Sequence, residues 1–284
     1  MRQNESRTRA RVVRLVGGFF AVLAALSLLG CGDDEQATGK LFIYNWTYYI
    51  PDEVIEAFEE EFGTDVVYDV FASNEEMFAK LKAGGTGYDL AFPSGDYVSI
   101  MANQGMLLEI DRSRLTNWGN LDESVIAKIA FDPGNRWSVP YMMGAAGIAV
   151  NTEYVSDYGR SWSIFGREDL SGRMTMLDEA DWDKVDFFIP REGGSMYMDS
   201  MVLLKDAGNT DAAYQFMDFI LRPEIMAQIA DYLGLPSINV PSRELMTTVP
   251  RYEISDLSNS EFKEDVGADI DRYNRAWQEI RVGG

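Results

Sequence analysis

The sequence predicts an α/β fold, and three observations carry that prediction. Short runs of β-forming residues alternate with amphipathic helical segments, the pattern of a parallel sheet with helices on its faces. Glycine and proline punctuate the junctions between them. With 46% apolar and 12% aromatic residues in 284, the chain can bury a sizeable core and is long enough to divide into two lobes.

The chain opens on a segment unlike the rest. Arg2, Arg7, Arg9, Arg11 and Arg14 form a positive stretch, followed by an apolar run over residues 15–29 broken by Gly17 and Gly18. These are the n-region and h-region of an export signal, and the run is short for spanning about 30 Å of hydrocarbon. It ends Leu28-Leu29-Gly30-Cys31, which resembles the lipobox of bacterial lipoproteins, with Leu29 where a small residue is usual. The expectation is a lipoprotein signal over residues 1–30 that is cleaved, in place of an uncleaved anchor. Cys31 would then be acylated as the new N-terminus, leaving the protein periplasmic or extracytoplasmic and lipid-anchored to the membrane surface. Residues 31–39 contain no large apolar side chain after Cys31 and read as a flexible tether. The folded part should begin near Lys40.

From there, β-type runs are expected at Leu41 to Tyr44, Val66 to Val70 and Leu90 to Phe92. Between the first two, Pro51 suits a first helical position, and Val54, Ile55, Phe58 and Phe62 make an apolar face opposite Glu56, Glu59 and Glu60. Before the third, Ser73 and Glu76 have capping-box spacing, Met77, Phe78 and Leu81 supply the buried side, and Gly84-Gly85 stops the helix. Strand, helix, strand, helix, strand implies parallel pairing, and ligands in such sheets bind beyond the carboxyl ends of strands. Near the C-terminus, Ile270, Tyr273, Trp277 and Ile280 are spaced as one face of a further helix.

Charge and composition narrow the function. There are 46 acidic and 25 basic side chains and no histidine, a net charge of −21. Residues 1–30 hold five arginines and Glu5, so the exported part carries 45 acidic and 20 basic residues, net −25. A nucleic-acid partner is excluded, because it needs a basic footprint. Without histidine, and with Cys31 the only cysteine, the usual general base and zinc ligand sets are missing. No Gly-rich phosphate cradle is present, since Ala83-Gly84-Gly85 reads as a helix stop. No metal, no cofactor and no catalytic turnover are therefore expected. A glycosidase working with carboxylates alone tolerates this composition, yet no paired-carboxylate motif singles itself out.

Three segments fall where strand ends are expected: Asn45-Trp46-Thr47-Tyr48-Tyr49, Pro93-Ser94-Gly95-Asp96 and Tyr197-Met198-Asp199-Ser200. The strings LFIYNWTYYIPDEVIEAFEEEFG and SNEEMFAKLKAGGTGYDLAFPS, then VDFFIPREGGSMYMDS and FILRPEIMAQIADYLGLPSIN, resemble bacterial spermidine/putrescine-binding proteins, the extracytoplasmic receptors of polyamine ABC transporters. The likeness is near-continuous from Leu41 to Asn151 and resumes near Val185. It implies the two-lobed periplasmic-binding fold (type II), with ligand held between lobes that close about a hinge. Three crossings between lobes would fall near Gly144, Met198 and Arg243. Lobe I would be residues 40–144 plus 198–243, and lobe II residues 145–197 plus 244–284. The implied partners are a polyamine and a membrane permease, with a monomeric receptor touching the membrane through its lipid alone.

A polyamine needs carboxylates for its ammonium groups and aromatic faces for its methylene chain, each face worth about 0.5 to 2 kcal/mol toward a cation. By resemblance, Trp46, Tyr49 and Tyr197 line an aromatic box and Asp199 pairs with a ligand amine. Asp178 and Glu179 lie in a second acidic motif, and Thr47 and Ser94 are polar positions able to accept ammonium hydrogen bonds. Asp96 stands where spermidine binders often carry an aromatic residue, and serves either as another ammonium partner or as the cap of a helix over Tyr97 to Asn103. Taken singly, Trp46 and Tyr197 read as packing residues and Asp178 as a cap.

The chain also departs from the family. Between Asn151 and Glu192 there are 40 residues, whereas relatives carry a longer stretch, with roughly 70 residues missing here, half a typical small domain. The junction falls at Glu179-Ala180-Asp181, and the loss would include a stacking tryptophan and a second-lobe strand. Leu235 replaces a tyrosine, and Lys263 a neutral polar residue near the ligand, where it would repel an ammonium. Altered specificity, a weakened site and an incompletely covered second lobe all stay open. So does a receptor-fold surface lipoprotein acting as sensor or scaffold.

Overall fold

A computed structural model describes residues 39–85, 87–174 and 184–269, together with 272, 275, 276 and 279. Cys31, Asp178, Glu179 and the expected helix positions Ile270, Tyr273, Trp277 and Ile280 lie outside the described residues.

Strand β1 (Lys40–Trp46) leads through helix α1 (Asp52–Phe62) to β2 (Asp65–Phe71), and through α2 (Asn74–Lys82) to β3 (Leu90–Ala91). Both β2 and β3 pair parallel to β1. Because such crossovers are right-handed, α1 and α2 lie on opposite faces of the sheet. Val54 and Phe58 of α1 are fully buried, and Gly63 ends that helix at φ 64. Pro51 does not occupy the first helical position: with ψ 144 it is extended and stands one residue outside, as the N-cap. The hydroxyl of Ser73 accepts from the Glu76 amide at 3.2 Å, as its spacing predicts. The Glu76 carboxylate, however, reaches back to the Ala72 amide at 3.0 Å, one residue beyond a true capping box. The Gly85 amide donates to the Lys80 carbonyl at 2.9 Å, and a Cβ there would stand 2.5 Å from that oxygen.

Helix α3 (Gly95–Asn103) follows β3, and a short helix α4 (Glu123–Ile126) precedes β4 (Ser138–Ala145) and β5 (Ile148–Asn151). Strands β6 (Val185–Phe188) and β7 (Ser195–Leu203) lead to α5 (Thr210–Ile220), α6 (Pro223–Leu233) and the two-residue β8 (Glu261–Phe262). The larger sheet runs β2-β1-β3-β7-β4, with β8 added to β7, so that β2 forms one rim. Strand β7 is antiparallel to β3 and β4 and parallel to β8. The core is continuous: Phe58 meets Phe216 and Phe219 of α5 edge-on at 5.0 and 5.5 Å, while Leu41, Ile43 and Leu90 are fully buried beneath.

The β4–β7 ladder continues past the sheet as a ribbon. The Ala146 amide donates to the Ser195 carbonyl, and beyond it β5 and β6 pair antiparallel as a separate two-stranded sheet. A small second core of Ile148, Val150, Ile164, Leu170 and Phe188 packs there. Residues 259–263 strap the ribbon: Gly194 donates to Ser260 Oγ at 3.0 Å and accepts from the Glu261 amide at 3.2 Å. Gly193, at φ 91, lies so close that a Cβ would stand 1.9 Å from the Asn259 carbonyl oxygen.

Candidate functional site

The carboxyl ends of β1 and β3 converge on the middle of β7, and Asp199 is the centre of that convergence. It is 4% exposed. Ser94 Oγ donates to Oδ1 at 2.5 Å and the Tyr49 hydroxyl to Oδ2 at 2.6 Å. Among the described residues no lysine or arginine forms a salt bridge with Asp199. Burial raises its carboxyl from 3.8 to about 6; the two hydroxyl bonds pull it down, the nearby charge of Asp96 pushes it up and that of Lys263 lowers it. A buried carboxylate supplied with neutral donors but no directly bound cation is a position that favours an ammonium group.

Each partner is itself held. Ser94 bridges β3 to β7 and is locked by Asn74, whose Nδ2 donates to Ser94 Oγ at 3.0 Å while its Oδ1 accepts from the Ser94 amide at 3.1 Å. Ser94 is also the N-cap position of α3, but its hydroxyl serves Asp199 rather than the helix. Tyr49 is propped by Tyr141, whose hydroxyl donates to the Tyr49 carbonyl at 2.5 Å. Tyr141 is the extra residue of an irregularity in β4, between Pro140 opposite Ser200 and Met142 opposite Asp199. A proline donates nothing to the ladder, and the bulge turns Tyr141 toward the site. Burial first, then the Asp199 charge, keeps the Tyr49 hydroxyl protonated.

The aromatic candidates surround this centre unequally. Trp46, half-buried at the end of β1, donates Nε1 to the Phe92 carbonyl at 2.8 Å and leans on Phe71 at 4.6 Å. Tyr197 lies two residues before Asp199, hence on the same face of β7. Its ring covers Gly144, where a Cβ would fall 2.0 Å from the ring. Burial and the Asp199 charge push its hydroxyl up to about 12. Thr47 is exposed; its amide and its hydroxyl both donate to the Phe71 carbonyl, at 3.3 and 3.5 Å, and neither is joined to Asp199.

Asp96 is not the cap of a helix beginning at Tyr97. The helix starts at Gly95, which places Asp96 inside the first turn, 6% exposed, with Oδ1 lacking a protein hydrogen-bond partner. Its other oxygen is 2.7 Å from Lys263 Nζ. Lys263 therefore does more than repel a cation: it neutralises a neighbouring carboxylate. Sequence reasoning missed Asn74, Tyr141 and Gly144 as supports, and no local pattern marks any of them. A cavity of about 580 Å³ opens beside β8, lined by Lys128, Met196, Phe262 and Glu264 and not by the Asp199 cluster. The chemistry named above belongs to the Asp199 cluster.

Comparison with known proteins shows the family and the fold. Two family models, both described as bacterial extracellular solute-binding protein, match residues 45–171 and 174–265. A spermidine/putrescine-binding periplasmic protein of Escherichia coli is 29% identical, covering 91% of this chain and 96% of its own length. That alignment runs over 338 positions, of which this chain fills about 258. The crystal structure of the TpPotD lipoprotein of Treponema pallidum is 35% identical, with a TM-score of 0.79, covering 85% of this chain and 99% of that one. The spermidine/putrescine ABC transporter substrate-binding protein PotD of Streptococcus pneumoniae, at 24% identity and a TM-score of 0.76 over 86% of this chain and 98% of its own, supports the fold. The architecture is the two-lobed α/β fold of periplasmic binding proteins.

Proposed function

Because the chain belongs to the spermidine/putrescine-binding family of bacterial extracellular solute-binding proteins, we propose that it is the substrate-binding lipoprotein of an ABC transporter. In this reading it is exported, acylated at Cys31, and holds putrescine or spermidine between two lobes for delivery to a membrane permease. The family consists of solute-binding transport proteins rather than enzymes, and no catalytic step, metal or cofactor enters the proposal.

The observation that carries it is Asp199. Burial has taken water from this carboxylate, and Ser94 and Tyr49 supply hydrogen bonds without supplying charge. An ammonium supplies the charge. Tyr49, Tyr197 and Trp46 offer apolar faces for a methylene chain and attract the cation as well. The excess of acidic residues speeds encounter with a polycation and makes it salt-sensitive, while contributing little to selectivity. Asp178 and Glu179 are proposed as a second acidic contact from lobe II. The lobes are taken as 40–144 plus 198–243 and 145–197 plus 244–284, turning about the β4–β7 ribbon.

A second reading, a sensor or scaffold that keeps the receptor fold with weak ligand binding, draws on the small second sheet of two strands. It also draws on the roughly 80 alignment positions that this chain does not fill, which we assign to a shortened second lobe. Calorimetric titration with putrescine, spermidine and a neutral sugar separates the two. Saturable heat with the amines and none with the sugar is the expected result; no saturable heat with any of them favours the scaffold.

A further inference from the structure

We infer that Lys263 is a tethered cation occupying the ammonium position on Asp96, and that it thereby sets which amines the site accepts. This deepens the polyamine reading and rests on it.

The backbone of Lys263 is fixed. It follows β8, and its amide donates to the Met196 carbonyl at 2.7 Å, on the same strand as Asp199. From there the side chain crosses to the first turn of α3, where Nζ meets Asp96 Oδ2 at 2.7 Å. The two ends of this ion pair are unequal: the lysine side chain is 54% exposed, the aspartate 8%. An ion pair with one partner in water is held weakly, whereas a buried carboxylate left alone is unfavourable. Losing the lysine therefore strands that carboxylate, and a second cation in its place relieves the cost.

Capacity for that cation is present. Asp96 Oδ1 is buried without a protein partner, and Asp96 is near enough for its charge to act on Asp199. Two buried carboxylates, Asp96 and Asp199, face one lysine whose charge also acts on the exposed Glu75, so the buried pair and the lysine together carry one net negative charge when ionised. A ligand with a single ammonium satisfies Asp199 with Lys263 still seated. A ligand with two must also meet the lysine, by displacing it from Asp96 or by enduring its repulsion. Lys263 thus disfavours a second ligand charge in a way that an uncharged residue of the same length does not.

The test is calorimetric titration of wild type, Lys263→Gln and Lys263→Arg with putrescine and with butylamine, which has one ammonium, after thermal unfolding has verified that each variant is folded. Lys263→Gln is expected to bind putrescine on the order of tenfold more tightly, about 1.4 kcal/mol, and to gain less for butylamine. Lys263→Arg keeps the charge and should show no such gain. If wild type binds putrescine and Lys263→Gln binds it no better, or loses it, the tethered-cation role is overturned and the polyamine reading stands. If neither wild type nor Lys263→Gln binds either amine, both fall. Equal gains for the two amines would reduce Lys263 to an obstacle without selectivity and also overturn the proposal.

Discussion

Replacing Asp199 with asparagine should stabilise the unliganded protein while removing its affinity for amines. The carboxyl stands at about 6 instead of 3.8, with burial the leading cause. At roughly 1.4 kcal/mol per pH unit, that rise amounts to ~3 kcal/mol withdrawn from the native state once Asp199 is ionised. The sign follows from proton occupancy. Between pH 3.8 and 6 the folded protein holds the proton and the unfolded chain does not, so this group's effect on stability worsens as pH rises through that window. Below the window it is absent, and above it the full penalty applies. Asparagine removes the charge and keeps the bonds: its oxygen accepts from one hydroxyl and its amide donates to the other. Asp96, Lys263 and the Tyr49 and Tyr197 hydroxyls face the same position, and all four are present in both proteins. Urea denaturation of wild type and Asp199→Asn from pH 4 to 8 should therefore show a difference near zero at pH 4 that grows to ~2 to 3 kcal/mol by pH 7. Affinity for putrescine should fall by about 3 to 5 kcal/mol, the loss on stranding one partner of a buried ion pair. A stability difference that does not change with pH would refute the reasoning.

Two further outcomes test the surroundings. Gly144→Ala places a methyl group where the Tyr197 ring lies; the ring must leave, and putrescine affinity should drop by the value of one aromatic face, about 0.5 to 2 kcal/mol, with an unchanged titration showing that Tyr197 does not cover the ligand. Cys31→Ser should abolish incorporation of labelled fatty acid, and undiminished label in the variant would exclude Cys31 as the anchor.

Much of the scaffold was legible because it is written at short range. The apolar spacing of Val54 and Phe58 and the glycine stop at Gly84-Gly85 belong to single elements, and the parallel β1, β2 and β3 follow from their alternation. The union of Tyr49, Ser94 and Asp199 was legible through the resemblance, which aligned three segments far apart in the chain. Local pattern alone held no sign of it. The supports were not legible, because they depend on where side chains arrive after folding. Asn74 looks like an ordinary first-turn residue, yet both ends of its amide hold Ser94. The sequence sets Lys263 against a ligand ammonium alone. Its effect is different once Asp96 is known to lie within 2.7 Å, since a charge acts on its nearest neighbours first.

A strand at the rim of a sheet leaves one row of backbone donors and acceptors open to another copy of the same chain, and β2 holds that place. Val67 and Val70 on it are 36% and 48% exposed, one on each face of the sheet. The net charge of −21 is a poor defence at physiological ionic strength, where charges more than about 8 Å apart are screened. Asp65 and Asp69 are within reach, because they project from the rim itself, and Asp69 is only partly offset by Lys80 at 3.3 Å. Two copies meeting β2 to β2 would press these carboxylates toward one another. Against that one pairing, the barrier nearest to hand is two aspartates on a single strand.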